Sequence, residues 1–219
     1  MTQRRPILAC GLILLLLASA ADAAGKKYSR LSLTSASEKG ALIFHVPPQP
    51  ANWTMIFTRV DEAGQTQGFG ESLNMGGTSV IPGGSPALQI WLMKPGRYVV
   101  RFLKTQDYWA GCLSQSTVAI DIAAGKVVYI GTVDPEPTLS SISREVARTG
   151  KAISHGGIRM FHTDISPPAV AGAEPGQEAA ITAEIRSAAP GLVAPIVLTR
   201  PVPTTFPRKP KNNPLAACG

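Results

Sequence analysis

The sequence is short of the side chains that do chemistry. It holds three histidines and three cysteines among 219 residues, and none sits in a recognised catalytic spacing. No Gly-x-Ser-x-Gly elbow occurs: in "GFGES" the glycines lie on the wrong side of the serine, and "HGG" at His155 has no nucleophile beside it. A Gly-x-x-x-x-Gly-Lys-Ser/Thr phosphate loop and a strand-to-helix Gly-x-Gly-x-x-Gly are also missing. These absences weigh against a serine hydrolase and a nucleotide enzyme. The reading is therefore non-enzymatic, with no cofactor expected.

Acidic side chains are scarce too, 14 against 21 basic, for a formal net charge of +7. The excess concentrates at Lys26, Lys27 and Arg30 and again near the carboxyl end. Basic ends attract anionic surfaces over a range set by salt screening. Nucleic-acid binding needs a basic face interleaved with aromatics. No such face is visible, so nucleic acid is not expected as a partner.

Long apolar runs are absent after the first two dozen residues, and the one that exists is short. Arg4 and Arg5 precede an apolar run over residues 7–18, and "ASAADAAG" follows with Ala21-x-Ala23. That order predicts a cleaved secretory signal peptide over residues 1–23. The run falls short of the roughly 20 residues a membrane-spanning helix needs, so an integral membrane protein is not expected. Cys10 precedes most of the run, which is the wrong order for a lipoprotein. Cleavage would remove Arg4, Arg5 and Asp22 and leave 19 of the 21 basic and 13 of the 14 acidic side chains. The expected location is periplasmic or secreted.

Two cysteines would remain in an oxidising compartment, where they invite one disulfide. Cys112, read as lying in the Gly-containing loop "YWAGCLSQ", and Cys218 at the chain end are the candidates. A bridge between them would tie the tail to the body. An unpaired Cys218 on a free end is the competing reading.

What is abundant is alternation of apolar and polar residues, the mark of strands whose successive side chains face opposite ways. Leu42, Phe44 and Val46 alternate before "PPQP"; "WTMIFTRV" sets Trp53, Met55 and Phe57 on one face and ends at the turn "DEAGQ". Leu88, Ile90 and Leu92 lead into Pro95-Gly96, a turn pair that presets one backbone angle and permits a positive one. Tyr98, Val100 and Phe102 then alternate with Arg97 and Arg101. Val118, Ile120 and Ile122 form a further inner row with Thr117 and Asp121 outside. "KVVYIGTV" is apolar on both faces, as in a central strand. Six strands follow from these patterns, with one or two more in less regular stretches. Short strands separated by Gly and Pro turns predict an antiparallel β-sandwich of about seven strands.

"LMKPGRYVVRF" is similar to the Leu-x-x-Pro-Gly-x-Tyr-x-Val stretch of transthyretin-like and carboxypeptidase-regulatory-like sandwich modules. "AAGKVVYIGTV" resembles a strand of uncharacterised exported bacterial proteins that carry such domains. The resemblance covers residues 40–134 and implies a seven-stranded sandwich. It brings no active site with it.

The remaining segments read as additions to this domain. Residues 24–39 form a basic lead-in, and 135–199 a mixed helix and strand extension. In "LSSISREVARTG" a helix through Leu139, Ile142 and Val146 and a strand over "REVAR" both fit. "GGIRMFHTDI" alternates as an edge strand. "EPGQEAAITAEIRSAAPGL" carries Ile181, Ile185, Ala188 and Leu192 on one helical stripe. From Arg200 the chain turns proline-rich and basic, which predicts a disordered tail over 200–219.

Three sets of residues remain as site candidates. Tyr108 and Trp109, read as exposed on a loop, offer rings for stacking on a ligand, with a cap over the core as the blander alternative. His162 and Asp164 share a strand face, but a zinc site takes three or four protein ligands, and the third, His155, lies beyond Gly156-Gly157. No metal is expected there. The ranking puts an exported envelope binding or accessory module first, its partner an envelope protein or a cell-wall or other anionic surface. A structural or assembly protein held to the wall or outer membrane by its basic tail is second. An unfamiliar enzyme using His155, His162 and Asp164 is third.

Overall fold

The computed structural model describes residues 28–48, 53–64, 72–77, 87–105, 109–113, 116–149, 153–155, 158–161 and 165–205. In chain order these form β1 (Gly40–Val46), β2 (Trp53–Val60), β3 (Ser72–Gly77), β4 (Ala87–Met93), β5 (Gly96–Thr105), β6 (Trp109–Cys112), β7 (Thr117–Ile122) and β8 (Val127–Asp134). Helix α1 (Glu136–Thr149), β9 (Ile153–His155), β10 (Ile158–Phe161), β11 (Ala169–Ala171), α2 (Glu178–Ala188), β12 (Ile196–Leu198) and β13 (Val202–Thr204) complete the described chain. The fold is mainly β and sandwich-like, as the alternation predicts, but the sheets are mixed rather than wholly antiparallel, because β1 and β12 pair parallel with β8 and β10 pairs parallel with β6.

The described strands fall into a five-stranded and an eight-stranded sheet, more than the seven expected. Six of the described strands are only three or four residues long; apart from β10, which the alternation of "GGIRMFHTDI" marks as an edge strand, they are too short for a two-residue period to show. In the smaller sheet β1 pairs antiparallel with β4 and parallel with β8, and β8 carries β12 and β11 along its other side. In the larger sheet the ten-residue β5 pairs with β2 along one side, and with β7 and β6 at different levels of the other. All six strands predicted from alternation are present.

Between the sheets lies the main core. Leu42, Phe44 and Val46 meet Met55, Phe57, Tyr98, Val100, Leu103, Ile120 and Ile130, with Phe44 and Phe57 ring centroids 6.3 Å apart. Each large side chain so buried stabilises by about 1.5–3 kcal/mol. The inner row of β5 changes parity after Val100, because a bulge shifts the β2–β5 register between Ile56 and Phe57. Beyond it Leu103 is buried in the main core, an odd position where the row before the bulge used even ones. Thr117, expected outside, is buried and its hydroxyl donates to the Val100 carbonyl.

A second core covers the other face of the smaller sheet. Ala41, Ile43, Ile90, Val127 and Tyr129 pack there under Ile181, Ile185 and Ala188 of α2, with Leu192, Tyr28 and Leu33 alongside. The two apolar faces of "KVVYIGTV" thus serve two cores: Val128 and Ile130 point between the sheets, Val127 and Tyr129 toward the helix. Helix α2 forms because Ile181, Ile185 and Ala188 make one stripe, with Glu178 in the first turn and Arg186 in the last to suit the macrodipole. It is a third layer rather than an appendage. Tyr28 and Leu33, from the expected basic lead-in, belong to the same layer. The alternative left open at "REVAR" resolves as helix, since α1 closes one end of the main core with Leu139 and Ile142. Its first backbone N–H, from Glu136, is held by the Asp134 carboxylate at 3.0 Å.

The tail expected to be disordered from Arg200 is ordered at its start. Val202, Pro203 and Thr204 pair antiparallel with Ala119, Val118 and Thr117 at the edge of β7. Proline fits there because an edge strand leaves one row of backbone groups without ladder partners. Residues 206–219 lie outside the described chain, as do residues 1–27 with the expected signal peptide.

Candidate functional site

On the outer face of the larger sheet, three strand ends and a turn enclose a groove of about 970 Å³. Its floor is apolar: Val60 of β2 and Val99 of β5, backed by Ala119 of β7, form a small buried cluster away from the main core. One rim is the turn after β2, residues 61–64, closed by the Gly64 N–H donating to the Asp61 carbonyl at 3.0 Å. Another is formed by Gly96, Arg97 and Asp121, brought level because Arg97 is the register partner of Asp121 and of Val60. Thr204 and Thr205 supply a wall.

The groove carries charge of the sign opposite to the whole chain. Among its described lining residues the carboxylates Asp61, Glu62 and Asp121 outnumber the basic side chain of Arg97. The Arg97 and Asp121 side chains approach to 3.7 Å with 43% and 68% of their surface exposed, an arrangement worth at most about 1 kcal/mol. An apolar floor under a rim of carboxylates favours a cationic ligand with an apolar portion.

A second constellation sits beneath α2. The His45 Nδ1 lies 2.9 Å from the Tyr129 hydroxyl, and His45 Nε2 lies 3.0 Å from Glu184 Oε1. The two rings meet edge to face with centroids 5.7 Å apart. Glu184, His45 and Tyr129 follow the acid, imidazole, hydroxyl order of a nucleophilic triad, but the setting opposes that chemistry. Tyr129 is only 4% exposed. Burial first, and the Glu184 charge second, hold its phenol above the usual tyrosine range. The hydroxyl is thus a poor nucleophile out of reach of substrate, and the chain of contacts clamps α2 to β1 and β8.

The structure places the predicted site residues apart or outside its described part. Trp109 begins β6, where its backbone partners are Thr105 of β5 and Arg159 of β10. The loop expected there is therefore a strand, and Cys112 closes the same strand opposite Phe102. Local sequence misses β6 because its four residues are too few to show an alternating pattern, although it pairs with its chain neighbour β5 as well as with the distant β10. His155 lies on β9 opposite Ile158. Tyr108, His162, Asp164 and Cys218 lie outside the described residues, so the metal set and the Cys112–Cys218 bridge do too. Among the described residues there is no group of three or more His, Cys, Asp or Glu arranged to hold a metal ion, and no helix is long and apolar enough to cross a membrane.

The groove residues carried a partial signal. "DEAGQ" is legible as a turn, and Arg97 and Asp121 as the wet side of their strands; their convergence depends on the register of three strands. His45, Tyr129 and Glu184 give no such signal, being 84 and 139 positions apart along the chain.

Comparison with protein-family models, with curated proteins and with solved structures finds no match. The transthyretin-like resemblance accordingly rests on the motifs quoted for it.

Proposed function

We propose that this protein is an exported, non-enzymatic binding module of a bacterial envelope, and that the acid-rimmed groove is where it takes a cationic, partly apolar segment of a partner. The groove carries the reading. Its volume is that of a built ligand site, which typically runs to some 300–1,000 Å³. Its lining joins an apolar floor to three carboxylates on rigid strand ends and a short turn. The leader-like opening of the chain supports export.

The test is binding in trans. A fluorescent peptide with three Lys or Arg, a proline and one phenylalanine is titrated against the protein with Arg208, Lys209 and Lys211 each changed to Ser. Anisotropy should show saturable, salt-sensitive binding. Glu62→Lys with Asp121→Lys should weaken it at least tenfold, equivalent to about 1.4 kcal/mol. An acidic peptide of equal length serves as control. Binding that survives the charge reversal, or that goes equally to the acidic peptide, would remove the groove from consideration. Binding of anionic vesicles by the wild type, with no peptide binding, would favour the tethering role instead.

A further inference from the structure

We infer that in the resting protein the groove is occupied by the chain's own carboxyl-terminal segment, residues 206–211, so that a partner must displace it. This rests on the reading of the groove as a binding site and adds its first occupant.

The place where the described chain ends is the first reason. Thr204 and Thr205 are themselves part of the groove wall, and Phe206 is the next residue. Pro207 has no N–H with which to extend a ladder along β7. Lys211 is six residues past Thr205, which limits its reach to about 20 Å even when fully extended.

Chemical complementarity is the second. "FPRKPK" offers Phe206 and Pro207 to a floor of Val60 and Val99, and Arg208, Lys209 and Lys211 to a rim bearing Asp61, Glu62 and Asp121. No Asp or Glu occurs in residues 206–219. The chain as a whole is basic at +7, so the tail is repelled by the average surface and drawn to this locally acidic place.

The third reason is tethering. A segment joined to the groove wall by so short a link is present at an effective concentration on the order of millimolar. Even a contact too weak to form between separate molecules is then occupied. A partner segment competes with it, which makes occupancy of the groove by others depend on partner concentration and on salt.

Zero-length carbodiimide coupling tests this on the wild-type protein, because it joins a carboxylate to a lysine amine only where the two touch. Peptide mass mapping should find Lys209 or Lys211 joined to Asp61, Glu62 or Asp121. A mixture of isotope-labelled and unlabelled protein should show the joins within single molecules. They should fade at high salt. In parallel, the variant with Arg208, Lys209 and Lys211 changed to Ser should bind the cationic peptide about tenfold more tightly than wild type, having lost its internal competitor. Joins only to carboxylates elsewhere, joins only between molecules, or equal peptide affinity in the two proteins would overturn the inference. If the peptide still binds in trans under any of those results, the groove reading stands and only the internal occupant falls; if it does not bind, both fall.

Discussion

Gly131 lies in the middle of β8 with φ of +95°, at the point where the β1–β8 register shifts between Ile43 and His45. Replacing it with alanine meets two obstacles. A non-glycine residue held at positive φ costs about 1–2 kcal/mol. In addition, a Cβ built at this position would stand 2.1 Å from the Ala171 carbonyl oxygen and 2.8 Å from the Gly172 Cα. Those atoms are backbone and cannot swing aside as a side-chain tip would. Relief requires β11 to move off β8, where Ala169, Val170 and Ala171 now pair with Asp134, Val133 and Thr132. Losing two or three ladder hydrogen bonds at about 1 kcal/mol each brings the total for Gly131→Ala to about 3–5 kcal/mol. Gly176 is the control, since its φ is +86° and nothing lies within 4 Å of its built Cβ. Gly176→Ala meets only the backbone strain, partly offset by the lower entropy of the unfolded alanine chain, and should cost about 1 kcal/mol or less. Urea unfolding followed by circular dichroism, with similar slopes for both variants, gives the comparison. In a chain of this length each kcal/mol shifts the melting temperature by about 2–4 °C, so the two variants should melt roughly 10 °C apart. Equal stabilities would refute the close approach of β11 to β8.

Two further outcomes follow from buried polar groups. Tyr129→Phe strips the His45 Nδ1 of its partner and should destabilise by about 1–3 kcal/mol. The Tyr129 phenol is raised in the folded state, so its contribution is intact below the unfolded value near pH 10 and is lost as pH rises through the folded one. Stability measured across that alkaline range should fall less steeply in Tyr129→Phe than in wild type, and an unchanged slope would contradict the assignment. The indole N–H of Trp91 is buried without a hydrogen-bond partner among the described residues. Trp91→Phe therefore removes an unsatisfied donor along with some packing, and the urea midpoint should stay within about 1 kcal/mol of wild type; a loss above about 2 kcal/mol would mean that the donor is bonded.

Much of this architecture was written in alternation. Period-two patterning marked β1, β2, β4, β5, β7 and β8, since a half-buried strand must place every second side chain in the core. The double-sided apolar character of "KVVYIGTV" announced a central strand, and the stripe of Ile181, Ile185 and Ala188 announced α2. These are local consequences of backbone geometry, readable a few residues at a time. Tertiary pairing decided the rest. The edge strand β10 was also legible in the alternation of "GGIRMFHTDI", but three- and four-residue strands such as β6, β11 and β13 exist because a neighbouring strand offers hydrogen bonds, and no window of their own sequence can show that. The bulge opposite Ile56 and Phe57 changes which residue of β5 enters the core, a parity that depends on the partner strand. The groove and the Glu184–His45–Tyr129 clamp are products of register and layer order: each joins residues whose individual roles are ordinary, and only the folding of distant segments onto one another gives them a common place.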